Sequence, residues 1–94
     1  MAEIGVDAAG REGGRLVFDV VVEEPGSRSR HRVTLSPDDL ADLAVEAETA
    51  EDLVRRCFAF LLEREPKESI LGTFDVSVIE RYFPDFRDRI SGGR

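Results

Sequence analysis

Between Leu16 and Leu35 the chain alternates apolar and polar residues on both sides of a Pro25-Gly26 pair, and this double alternation admits one strand register. Residues 16–23 are rich in β-branched side chains, as a strand favours. Pro25 fixes φ and Gly26 tolerates positive φ, so the chain turns there. Pairing residues 28–35 back across the turn sets Val22 opposite Ser29, Val20 opposite His31, Phe18 opposite Val33 and Leu16 opposite Leu35. That face is mainly apolar. The other face sets Glu23 against Arg28 and Asp19 against Arg32, opposite charges across the ladder. A loop of two or four residues preserves this register, whereas an odd loop turns one strand inside out.

Around this hairpin the remaining segments read as one edge and several helices. Residues 1–14 are expected to be an edge strand, giving a three-stranded meander, or else a mobile N-terminal segment; the weak alternation of Glu3 to Asp7 favours the strand. Ser36-Pro37-Asp38-Asp39 opens a helix, with a hydroxyl N-cap, proline at the first position and carboxylates at the positive dipole end. Leu40, Leu43, Ala44 and Ala47 share one of its faces, and it is expected to end near Glu46. Thr49 caps a second helix over residues 49–65. There Leu53, Val54, Cys57, Phe58, Phe60, Leu61 and Leu62 spread over half the circumference or more. An arc that wide marks a central helix covered on more than one side, and Pro66 ends it. Residues 67–71 form one turn, stopped by Gly72. Asp75 caps a helix over 76–83, and Pro84 starts a final turn holding Phe86 and Ile90. Phe74, Ile79, Tyr82, Phe83 and Phe86 make residues 74–90 an aromatic clasp, and Ile79, Phe83 and Phe86 are expected on the side of the central helix that the sheet leaves bare. The expected fold class is α+β, an antiparallel β-hairpin or three-stranded meander packed on a central helix with additional short helices. A single domain over 15–90 and a disordered tail over 91–94 complete the division.

With 94 residues and 41% hydrophobic composition there is room for one hydrophobic core. Cys57 is the sole cysteine, which excludes an internal disulfide and suits a reducing compartment. Residues 1–10 lack the pattern of a secretion signal and no apolar run is long enough to cross a bilayer, so a cytoplasmic, membrane-free protein is expected. The net charge of −7 is concentrated in the middle, where residues 36–52 hold seven acids and no Lys or Arg. Such a field repels phosphate backbones and anionic membranes, so nucleic acid is not the expected partner.

Each candidate for chemistry has a plainer structural reading. His31 could serve acid–base catalysis only beside a second polar group in a cleft, and the register puts it on the apolar face. Cys57 could be a nucleophile if activated, but it sits in the middle of the apolar arc, where a free thiol behaves as a small hydrophobe. Asp38, Asp42 and Glu46 fall four apart as a carboxylate row; without a glycine-turned loop and further ligands, a solvated face is the expected outcome. No catalytic residue, cofactor or metal is therefore expected.

Residues 27–32, Ser-Arg-Ser-Arg-His-Arg, form the one basic run. Arg28, Arg30 and Arg32 project from one face of a strand and are the candidate nucleic-acid or partner contacts. Followed by Val33-Thr34-Leu35-Ser36-Pro37 and two helices, this run resembles a ribbon-helix-helix protein of the Arc and MetJ kind. That resemblance implies an intertwined dimer whose strand enters the major groove; the competing reading of the same arginines is cross-strand salt links on a solvated sheet face. Residues 58–71, with Phe74 to Ile79 and Tyr82-Phe83-Pro84, are similar to the ending of short uncharacterised bacterial proteins, a likeness that implies no activity. The function expected from these observations is a non-enzymatic binding or regulatory module contacting another protein or a second copy of itself. DNA binding through the arginine strand is the alternative, and a small Cys57–His31 enzyme the third.

Overall fold

The computed structural model describes residues 2–91. Three long strands, β1 (Glu3–Glu12), β2 (Arg15–Glu24) and β3 (Ser27–Leu35), form an antiparallel meander. The β2–β3 register is the one dictated by the two alternating faces: Leu16 opposes Leu35, Phe18 Val33, Val20 His31, and Glu23 Arg28. Gly26 adopts φ 82°, the positive value that Pro-Gly turns require at their second central position. The β1–β2 turn is Gly13-Gly14, both at positive φ (55° and 80°), the geometry whose twist matches that of the flanking strands. Residues 3–12 are thus an edge strand, with one bulge between Ala8 and Gly10 that bends it.

A fourth strand, β4 (Thr73–Asp75), lies parallel to β3 on its far side and makes the sheet mixed, in the order β1-β2-β3-β4. The sequence reading placed Phe74 in the clasp and Asp75 at a helix cap and did not foresee a strand here. Three residues are too few for a periodicity to register. What makes them a strand is the exposed far edge of β3, where the Arg32 amide donates to the Gly72 carbonyl at 2.7 Å.

Helix α1 (Pro37–Leu43) starts as expected, with Ser36 Oγ accepting from the Asp39 amide at 3.1 Å. It ends at Leu43 rather than near Glu46. The Arg56 guanidinium donates to the Leu43 carbonyl at 3.1 Å, and Glu48 accepts from the Val45 amide at 3.1 Å. Those bonds hold the chain in a turn, and Ala47 takes φ 65°. Ala47 therefore does not extend the α1 face, and the carboxylate row ending in Glu46 does not form.

Helix α2 (Ala50–Leu62) is capped by Thr49 Oγ1, which accepts from the Asp52 amide at 3.1 Å. It ends somewhat before the expected limit at residue 65. Leu53, Val54, Cys57, Phe58, Phe60 and Leu61 are all buried, joining Phe18, Val20, Val22, Val33 and Leu35 of the sheet in one cluster. Phe58 faces the sheet side, its ring 5.2 Å from His31 and 5.9 Å from Phe74. Phe60 faces the opposite way, with Phe83 at 5.9 Å and Phe86 at 5.2 Å, both edge-on.

The segment expected as one helix over 76–83 is divided into a 3₁₀ turn, Val76–Val78, and α3 (Ile79–Tyr82); α4 (Phe86–Ile90) follows. Asp75 caps the first of these, accepting from the Ser77 amide at 3.1 Å and the Ser77 hydroxyl at 2.7 Å. Ile79, Phe86 and Ile90 are buried and Phe83 is partly so, as the clasp requires. Tyr82, grouped with these aromatics in the sequence, instead points outward and is 66% exposed. Of the expected tail over 91–94, residues 92–94 lie outside the described residues.

Because Phe86 is 1% exposed and packed on Phe60, Phe86→Ala is expected to lower stability by about 3–5 kcal/mol, measured by urea unfolding. A chain stopped after Leu71 also loses β4 and is expected to show collapsed amide dispersion. Native-like dispersion in that truncation would mean that the clasp is not part of the core.

Candidate functional site

His31 and Cys57, the pair on which an enzyme would depend, are both committed to the core. The His31 ring is 5% exposed, with Nδ1 2.8 Å from the Leu71 carbonyl and Nε2 2.8 Å from Ser29 Oγ. A carbonyl only accepts, so Nδ1 donates to Leu71, while Nε2 pairs with the Ser29 hydroxyl, which can donate or accept. Both nitrogens are occupied, leaving neither for a thiol. Cys57 is 1% exposed, and burial pushes its thiol up to about 12. It lacks the thiolate character that a nucleophile needs at neutral pH. Among the described residues, no three His, Cys, Asp or Glu side chains are grouped so as to hold a metal ion.

The arginine strand is divided. Arg28 donates to Glu23 at 2.6 and 3.2 Å, and Arg32 to Asp19 at 2.9 and 3.1 Å, as cross-strand partners. The Arg32 hydrogen bond holds the Asp19 carboxyl below its ordinary range. Arg30, opposite Val21, is exposed and makes no ion pair among the described residues. β3 itself is bordered by β2 along its length and by β4 at Arg32 to Thr34.

Three cations that the sequence did not single out tie the helical half together. Lys67 is 3% exposed, and its ammonium donates to Glu24 (2.7 Å), Ser27 (2.5 Å) and Glu68 (2.6 Å). Three donors meet three acceptors, which fastens the β2–β3 turn to the chain after α2. Hydrogen bonds to Glu24 and then Glu68 raise the Lys67 pKa. Arg56 binds Glu48 at 2.6 and 2.7 Å, the Leu43 carbonyl, and the Ile90 carbonyl at the end of α4. Arg87 joins Glu80 at 3.0 Å to Asp39 at 2.9 Å. In sequence these residues read as ordinary surface charge, since their partners lie up to 48 positions away.

An open concavity with mainly apolar walls lies where α2 ends, between the turn at Lys67–Ser69, β4 and α3. It holds about 170 Å³, with Leu61, Ile70, Phe74, Val78 and Phe83 among its walls and Glu65 and Ser69 as its polar members. Leu71 and Tyr82 also line it, 46% and 66% exposed, and they are the exposed large hydrophobic residues among those described. The sequence reading assigned these positions to turn and core. No family model, curated protein or solved structure matches the chain.

Two measurements check this description. Cys57 in the folded protein is expected to resist a bulky thiol reagent, and Cys57→Ser to cost about 1–3 kcal/mol by leaving a hydroxyl without an obvious partner. Rapid labelling would contradict the burial. Glu48 is held below its unfolded value of 4.5, first by the Arg56 hydrogen bond. Burial acts to raise Asp75, but hydrogen bonds from Thr34 and Ser77 outweigh it and hold that carboxyl below 3.8. A depressed carboxylate contributes stability above its unfolded pKa and loses it as pH falls through the folded one. Stability is thus expected to decline below pH 4.5. Glu48→Gln should cost about 1.5–3 kcal/mol at neutral pH, with the gap to wild type closing in acid.

Proposed function

We propose that this protein is a small non-enzymatic binding module of the reducing cytoplasm that recognises another protein through the groove beside Leu71 and Tyr82. One observation carries the reading: the two exposed large hydrophobics of the described chain both line this apolar concavity. Leaving such side chains in water forgoes about 1.5–3 kcal/mol for a residue of leucine size, a loss that burial against a partner recovers. The volume favours a side chain over a metabolite. At about 170 Å³ the hollow is well below the roughly 300–1,000 Å³ of ordinary small-molecule pockets. The buried thiol and the fully engaged histidine support a role without covalent or acid–base chemistry.

A second reading, DNA binding through the arginine strand, draws on Arg30, exposed and without an ion pair among the described residues. It has less support, because Glu23 and Asp19 already neutralise Arg28 and Arg32. With Arg28 and Arg32 so paired, Arg30 is the one arginine of the strand without an ion pair among the described residues.

A photoreactive residue placed at position 82 is expected to form protein adducts in the native cell, and Leu71→Asp to abolish them. The same probe at position 30 is expected to give none that depend on Leu71. Absence of adducts at 82, with salt-sensitive retention of duplex DNA abolished by Arg30→Ala, would overturn the groove reading in favour of the strand.

A further inference from the structure

The groove carries an unmatched charge. Glu65 lines it, half-buried, and makes no ion pair among the described residues. Its basic neighbours in the chain are committed elsewhere. Arg64 reaches Asp85 at 2.6 Å while its guanidinium lies 3.9 Å from the centre of the Phe60 ring. Lys67 spends its three donors on Glu24, Ser27 and Glu68. The groove is therefore an apolar hollow with a free carboxylate, the complement of an apolar side chain that has a cation beside it.

The chain presents that pair itself. Tyr82 is 66% exposed, and Arg81, its neighbour on α3, is exposed and free of ion pairs among the described residues. The other large exposed hydrophobic, Leu71, has Gly72 and Ile70 beside it rather than a cation. Tyr82 also belongs to the rim of its own groove, so a two-fold axis near it would bring two grooves face to face. We propose that the occupant of the groove is a second copy of this chain. In this symmetric dimer each Tyr82 enters the opposite groove and each Arg81 pairs with Glu65 across the axis. The inference rests on the reading of the groove as a protein-binding surface and adds the identity of the partner.

The purified full chain tests it by sedimentation equilibrium. One aromatic anchor and one ion pair per side make a small contact, so a Kd on the order of 10–100 µM is expected. Tyr82→Ala should weaken association at least about 10-fold. Glu65→Arg sets like charges across the axis, as does Arg81→Glu, and each variant alone should remain monomeric. Mixed in equal amounts they should associate, because the heterodimer restores both contacts, one between the unmutated Glu65 and Arg81 and the other with its polarity reversed. Circular dichroism of each variant controls for folding. A wild-type chain that stays monomeric to about 1 mM, or a mixture that gains nothing over its components, overturns the dimer. Should the wild type be monomeric while the probe at position 82 still captures a different protein, the groove reading stands and this inference alone fails.

Discussion

Phe58 and Phe60 stand two residues apart on α2, about 200° around the helix, and the molecule is assembled on the two sides they define. Phe58, fully buried, meets His31 of β3 and Phe74 of β4. Phe60 meets Phe83 and Phe86 of the clasp. Neither side is sufficient alone, since a short chain has a high ratio of surface to volume and must cover both faces of its main helix to accumulate a core. Sheet and clasp are thus joined through one helix. Arg64 extends the clasp side by lying over Phe60 and binding Asp85.

Charge has a second structural task. The chain is strongly acidic as a whole, yet its interior cations each gather acceptors from distant segments. Arg56 bonds backbone carbonyls of α1 and α4 as well as Glu48, so it fixes where α1 stops and where the last helix lies. Lys67 closes the tip of the β2–β3 hairpin onto the turn after α2. Such pairs gain little when exposed, but one whose loss would leave a buried charge unmatched resists disruption. Their commitment also explains which charges remain available. Among the described residues Glu65 and Arg81 make no ion pair, the cations and carboxylates around them already having partners.

The hairpin and the central helix were legible because their signals are local and repeated. Every second residue from Leu16 to Leu35 votes for the same register, and every turn of α2 shows an apolar residue. Caps at Ser36, Thr49 and Asp75 were legible for the same reason, each being a side chain three or fewer positions from the amide it accepts. The end of α1 and the existence of β4 were not. Both involve contacts to residues remote in sequence, Arg56 on Leu43 in one case and the pairing of Arg32 to Thr34 with Gly72 to Asp75 in the other.

The site divides in the same way. The sequence by itself determined that Arg28 and Arg32 would face Glu23 and Asp19, because a two-residue turn and alternating strands leave no other pairing. It also determined that Cys57 would be buried, by placing it in the middle of an arc too wide for one neighbour. Only the tertiary structure decided that Tyr82 points outward while Ile79, three residues before it, is buried. It alone placed Leu71, Tyr82 and Glu65 around one hollow. Their meeting follows from how β4 and α3 fold back on the end of α2, a matter of long-range packing that neither periodicity nor capping encodes.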